Sequence, residues 1–478
     1  MTPATIEERV REYIEAERAQ IRVPPVMASR ILHVVEVSRP SPRRHRLRFL
    51  RVAAAMAGVL LVGAGIAWVR TAQSPAGLAQ GIWSAAPAMG FGRGYHTATL
   101  LPNGKVLVVA GSQTTRILAS AELYDPRTRR WSSAGTLKTA RSLHTATLLK
   151  SGKVLVVGGS QVSPFYLGSL ATAEIYDPQT NSWALAASMR TPRSYHTATL
   201  LADGRVLVVG GIQASNDVTG TVLASAELYD PATDTWTVAT PMHVARAKHA
   251  ATLLADHRVL VIGGTDSDYF AFSGYFRSAE IYDPATQSWS PAPSMNYPRL
   301  NATSTLLPDG RVLVVGDSGV NEGTAEVFDP RSDEWLPIPG SRVGRAEHIA
   351  VGLRNGAVLV AGGIGETSAQ LFEWRRNAWT NAGALTVIRA SATATVLPDG
   401  QVLIAGGFGN RSMPWASAEL YDPLGTSTVG IRSTRTSPAP VAGAALLVGI
   451  PILLLTFALW LRRARMDRES RAGELWVD

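Results

Sequence analysis

Seven arginines recur at one position along the chain: Arg93, Arg141, Arg193, Arg246, Arg299, Arg345 and Arg389. Three residues after each stands His96, His144, His196, His249, Ala302, His348 or Ala392. Seven guanidinium groups gathered round one centre could hold carboxylate or phosphate ligands. A residue present in every copy can equally serve the copy, by bonding the neighbouring unit. The histidines do not suggest a metal ring, because sevenfold spacing does not converge ligands tetrahedrally. A second concentration of chemistry lies in 265–278, with Asp266, Asp268, Tyr269, Phe270, Phe272, Tyr275 and Phe276. Aromatics in a polar loop are candidate ligand contacts; the alternative is that they fold onto their own element as a small satellite core. Asp266 and Asp268 alone fall short of a calcium loop. The chain has no cysteine, which excludes disulfides, thiolate metal sites and cysteine nucleophiles. No metal or cofactor is expected. Catalysis would need a local departure from the repeat, and Asp317 and Glu347 are the acids that offer one.

These positions are set by a repeat of roughly 50 residues. Its fullest form runs from Arg193 through RVLVVGG to Trp236. HTATLL and RVLVVGG are two short apolar runs joined by Asp-Gly, a strong hairpin signal. Gly-Gly closes the second run, where backbones approach closely. AELYDP is a third run stopped by Asp-Pro, and the Trp five residues after that Pro opens a fourth. Gly111, Gly159, Gly211, Gly264, Asp317, Gly363 and Gly407 mark seven copies. Six of them carry Trp131, Trp183, Trp236, Trp289, Trp335 or Trp379; the seventh has none, while Trp83 stands ahead of the first copy. The pattern predicts an all-β, seven-bladed β-propeller over 83–423, its last blade completed by the Trp83 strand and its ring without an open edge. The strand c series Tyr124, Tyr176, Tyr229, Tyr282, Phe328, Phe372 and Tyr421, with the Trp series, is expected to pack between blades.

The run R-x-x-H, V-L-V-V-G-G, A-E-L-Y-D-P-x-T-x-x-W resembles the kelch repeat, found in the central domain of galactose oxidase and in many binding modules. The resemblance implies the fold and leaves function to sites grafted on it. It does not bring the oxidase chemistry, whose copper-radical site uses a tyrosine linked to a cysteine. Kelch-like sialic acid mutarotases need no metal, but no local motif places their residues here.

The flanks read differently from the ring. The net charge of +9 belongs to them: 71–437 holds 29 basic and 27 acidic residues, which argues against a nucleic-acid-binding body. Residues 1–36 read as helical, opened by a capping box at Thr5–Glu8. They pack on themselves or the membrane surface, or dock a cytosolic partner. Six arginines in 39–51 precede an uncharged stretch, 52–69, that would span roughly 27 Å as a helix. A second apolar segment, 441–461, is followed by Arg462, Arg463, Arg465 and Arg468. The positive flanks of both predict cytoplasmic segments at 1–51 and 462–478, two spans, tethers at 70–82 and 424–440, and an extracytoplasmic propeller at the cell membrane. Arginine outnumbers lysine 41 to 5, which suggests a GC-rich bacterial genome.

If each blade is lettered a to d in chain order, ring closure makes both tethers leave from the c–d face, which would look at the membrane. The long b–c loops 160–172, 212–225 and 265–278 and the d–a connections with their arginines would then point away. The expected function is a membrane-tethered module that binds a protein or glycan there. The alternatives are a metal-free, carbohydrate-active surface enzyme and a transmembrane sensor relaying to the N-terminal helix.

Overall fold

The computed structural model describes residues 81–162, 168–214, 220–267, 274–316, 324–338, 344–409 and 413–425. The segments read as helices, spans and tethers at 1–80 and 426–478, together with Asp268, Tyr269, Phe270, Phe272 and Asp317, lie outside them. Among the described residues no helix is long and apolar enough to cross a membrane.

Seven four-stranded antiparallel sheets form the body. Blade 3 illustrates them, with strands a to d at Thr197–Leu200, Val206–Val209, Ala226–Asp230 and Thr235–Ala239. Strand b is apolar at consecutive positions because both of its faces are covered; Val206, Leu207 and Val208 are fully buried. The hairpin between a and b closes as the Asp-Gly pair requires: Gly204 lies at φ 97° and donates its N–H to the Leu201 carbonyl at 3.0 Å. Asp230 Oδ1 accepts the Ala232 N–H at 2.8 Å, the side-chain turn that Asp-Pro predicts after strand c.

Each sheet buries its faces against its neighbours. Seven apolar clusters lie one at each blade junction, from blades 1 and 2 round to blades 7 and 1. Strand a of every blade packs on strand a of the next, closing the circle. Tyr229 of blade 3 enters the core shared with blade 2 and packs against Trp236, its cross-strand partner, with ring centroids 5.0 Å apart and planes tilted by 42°. Trp236 Nε1 donates to the Ala187 carbonyl of blade 2. This reproduces the expected packing of the Tyr and Trp series between blades.

The last blade is completed as the Trp offset predicts. Ile82–Ala86 pairs antiparallel with Ala418–Asp422, Trp83 opposite Tyr421 and Ile82 opposite Asp422. Trp83 Nε1 donates to the Ala382 carbonyl of blade 6 at 2.6 Å. The chain therefore enters the ring beside the point where it leaves. Closure joins the ring but leaves the outer edge of every blade: among the described residues strand d has no partner on its far side. Pro291 and Pro337 lie on two of these outer strands, where a missing N–H breaks no ladder.

Candidate binding site at the channel mouth

The seven arginines do not face the channel. Each is at most 2% exposed, and each guanidinium is used inside its own blade. Arg193 Nη1 donates to the carbonyls of Gly210 and Ser225, both at 2.9 Å. Its Nη2 donates to Ser225 Oγ at 3.2 Å and to Glu227 at 2.9 Å. The same Glu227 carboxylate accepts the N–H groups of Arg190 and Thr191. Burial pushes the Arg193 pKa down, and Glu227 opposes the shift. The group thus ties strands b and c to the d–a connection, and no guanidinium surface is offered to an anionic ligand. The partner acids are the Glu of A-E-L-Y-D: Glu122, Glu174, Glu227, Glu280, Glu326 and Glu419. That Glu recurs in phase with the Arg, a pairing signal visible in the sequence. Blade 6 has Gln370 in its place.

The bond between blades runs through the backbone. Gly211 N–H donates to the Arg246 carbonyl of the next blade at 2.9 Å, and Gly407 N–H to that of Arg93. A Cβ on Gly211 would lie 2.6 Å from the Ser194 carbonyl oxygen, so the close approach needs glycine. The histidines join blades as well: His249 Nε2 meets Thr197 Oγ1 of blade 3 at 2.9 Å, and His96 meets Thr393 of blade 7 at 3.0 Å. Burial, then the neighbouring arginine, pushes His96, His196, His249 and His348 down to about 3. These imidazoles are therefore neutral at ordinary pH.

The channel mouth belongs to the residue between the Arg and the His. Tyr95, Leu143, Tyr195, Lys248, Asn301, Glu347 and Ser391 all have left-handed backbones, with φ between 50° and 56°. Each such residue costs about 1–3 kcal/mol unless its surroundings hold it. Here a relay of six backbone hydrogen bonds round the mouth, open between Asn301 and Glu347, does so. Ser391 N–H donates to Glu347, Tyr95 to Ser391, Leu143 to Tyr95, Tyr195 to Leu143, Lys248 to Tyr195 and Asn301 to Lys248, all carbonyl acceptors at 2.9–3.3 Å. Together with His96, His196, His249 and His348, the seven line a cavity of about 300 Å³. Tyr95 Oη donates to Glu347 Oε1 at 3.0 Å, and Ser391 Oγ donates to Oε2. Lys248 Nζ sits 4.9 Å over the Tyr195 ring. Glu347 was legible as a departure from the repeat; the ring it belongs to was not. Its signal is a position that changes side chain in almost every copy, two residues after an arginine that never changes.

The 265–278 loop divides. Phe276 donates its N–H to the Gly264 carbonyl and lies under the Arg246 guanidinium at 5.5 Å. It holds the place taken by buried Leu118, Leu170 and Leu223 in blades 1 to 3 and is itself half-buried against its own blade. Tyr275 pairs across the loop with Thr265 and is half-buried. Asp266 is exposed, and among the described residues no three potential ligands gather for a metal.

Comparison with known proteins bears on the fold. Residues 78–264 match the KLHDC2/KLHL20/DRC7 Kelch-repeats domain, and residues 246–296 the Kelch motif. The chain is 30% identical over 153 residues to beta-scruin of Limulus polyphemus, covering 32% of this chain and 16% of that protein. It is 28% identical to the Kelch-like protein terF of Aspergillus terreus, covering 27% and 28%, and 29% identical to human Kelch-like protein 15, covering 25% and 19%. The matched stretches thus span under a third of each relative. Among solved structures it resembles a fungal alcohol oxidase of the AA5 family in complex with copper, at 18% identity and a TM-score of 0.58, over 72% of this chain and 77% of that one. The likeness is one of architecture. Blade count and inter-blade bonding make residues 82–422 a seven-bladed propeller, and its repeats over 78–296 match the kelch models.

Proposed function

We propose that this propeller is a membrane-tethered, extracytoplasmic interaction module. Spans at 52–69 and 441–461 would hold it, and the face with the channel mouth and b–c loops would meet a protein partner. Kelch propellers generally serve as protein-interaction modules. The observation that carries the reading is the pairing of Ile82 with Asp422: both flanks leave the ring side by side, on the face opposite the mouth. Two apolar segments bordered by arginine can then descend together. Segment 1–51 would be free on the other side for a cytosolic partner.

The cysteine-free chain makes the topology directly testable. Ala232→Cys in the ring should react with a membrane-impermeant maleimide on intact cells. Ser470→Cys should react only after lysis. The reverse pattern would sink the proposal. A glycan ligand is a second reading, favoured by the mouth itself, where two tyrosine rings stand beside a carboxylate, an amide and a hydroxyl. Binding of a glycan panel that is lost in Glu347→Gln, with no protein captured by crosslinking from the same face, would select it.

A further inference from the structure

The face where the chain enters and leaves the ring is electrically split. Its a–b and c–d turns, counted to the strand residues that border the c–d turns, carry nine basic and five acidic residues in blades 6, 7, 1 and 2. Those of blades 3, 4 and 5 carry four basic and nine acidic residues. One half has a surplus of four positive charges, the other of five negative. Three cations of the negative half, Arg205, Arg258 and Arg311, pair with Asp203, Asp256 and Asp309 at 2.7 Å, as Lys105 and Lys153 of the positive half pair with Asp125 and Asp177. In the positive half Arg127, Arg129 and Arg130 of blade 1 and Arg375 and Arg376 of blade 6 stand exposed on the c–d turns.

Blade 7, which carries both chain ends, lies between those two arginine-bearing blades. At its edge Ile82 is 44% and Leu424 66% exposed. A concavity of about 550 Å³ opens beside Leu424, lined by Arg129, Arg354 and Asn355 as well as by Asp399 and Asp422. Exposed arginines, two apolar side chains and the departing tethers therefore share one half of one face.

We infer that this half, centred on blade 7, is a docking surface for anionic lipid headgroups. The inference rests on the tethered reading above and adds an orientation: the ring lies down on blades 6, 7, 1 and 2, and its acidic half is lifted from the bilayer. Guanidinium groups suit phosphate oxygens, which they bind in pairs, and basic clusters near a span are drawn to anionic bilayers within a Debye length. Tilting in this way exposes part of the mouth to one side rather than straight outward.

The full chain in nanodiscs tests this, with a fluorophore on Thr128→Cys in blade 1 or on Ser332→Cys in blade 5. In discs containing phosphatidylglycerol, a lipid-borne quencher should act on the blade 1 label at least about twofold more than on the blade 5 label. The difference should vanish in phosphatidylcholine discs, at high salt, and in the R127E/R129E/R130E variant. Equal quenching of both labels in phosphatidylglycerol discs overturns the inference; it is also the result if the surface serves an acidic protein, since the discs contain no other. A difference that persists without anionic lipid overturns it too. The tether is checked separately. If alkaline carbonate extracts the chain from membranes, the tethered reading fails. Docking is then decided by co-sedimentation of the full chain with phosphatidylglycerol vesicles: salt-sensitive binding that falls by about two orders of magnitude in the triple variant sustains it, and no binding overturns it.

Discussion

Arg193 and Tyr195 are two residues apart and answer to different neighbours. Arg193 is fully buried, and its guanidinium bonds four groups of blade 3. Its counterparts are arginine in all seven copies. Tyr195 is half-buried at the mouth, and its counterparts are Tyr, Leu, Lys, Asn, Glu and Ser. Both positions have a fixed backbone: the Arg carbonyl takes the Gly-Gly amide, and the next residue but one passes a hydrogen bond round the channel. What differs is whether the side chain is needed to build the blade. Sameness among copies marks the scaffold, and difference over a repeated backbone marks the place where the molecule can be addressed.

The scaffold half of this contrast breaks most completely at the ring's seam. Deleting Ile82–Ala86 would strip blade 7 of its outer strand and uncover Ala418–Asp422, all five residues of which are buried. The uncovered edge is an apolar template for aggregation. Calorimetry should show loss of the single cooperative transition, and soluble yield should fall. A sharp transition in the deleted protein would mean that the seam is dispensable.

Acid should come next. His96, His196, His249 and His348 are held near 3, well below the ordinary histidine value; His144 is also pushed down, by burial and then by Arg141. A depressed folded value means that the unfolded chain takes up the protons first. The stability these groups contribute is fully present above about pH 6.5 and is lost as pH falls towards 3. Each contributes on the order of a few kcal/mol at most. Urea midpoints at stepped pH should trace that loss. Replacing all five histidines with alanine should flatten it, since Ala302 and Ala392 already occupy the same place in blades 5 and 7.

Most of the scaffold was legible because its causes are local and recur. Asp-Gly turns, Val-rich second strands and Asp-Pro stops need only neighbours in sequence, and the missing seventh Trp announced the seam through Trp83. The arginines were seen, but whether they serve the copy or a ligand stayed open. Their partners, the glutamates of strand c, lie 27 to 34 residues away along the chain, and nothing local shows that the two meet. The mouth ring was missed for a different reason: a left-handed backbone under Tyr, Leu or Lys has no sequence signature of the kind glycine gives. Only its asymmetry shows, and Glu347 was noticed on that account.

The Arg–Glu pair supplies the third test. In Glu227→Ala, Arg193 would keep its charge in a buried site, and two backbone N–H groups would lose their acceptor. The expected loss is about 3–5 kcal/mol, read as a lower urea midpoint with an unchanged slope. Glu227→Gln should cost clearly less, because it keeps one acceptor oxygen for the guanidinium and the backbone N–H groups. If the alanine variant is no worse than the glutamine one, the guanidinium is not held by the carboxylate.

The smallest effect on stability is expected where the largest effect on binding lies. Lys248 has φ 56°, a conformation that costs a non-glycine residue about 1–2 kcal/mol. Its backbone links the ring between Tyr195 and Asn301, and glycine would keep both links while removing the strain. Against this, glycine loosens the unfolded chain by about 0.4–1 kcal/mol and gives up the contact with the Tyr195 ring. Lys248→Gly should therefore leave stability within about 1 kcal/mol of the parent in either direction, while capture of the ligand on that face is lost. Arg246→Met, two residues earlier, should do the opposite to the fold: it strands Glu280 as a buried carboxylate beside His243 and lowers the urea midpoint by several times as much. A Lys248→Gly protein that unfolds as readily as Arg246→Met would place the lysine in the scaffold, and the distinction between repeated and variable positions would no longer locate the site.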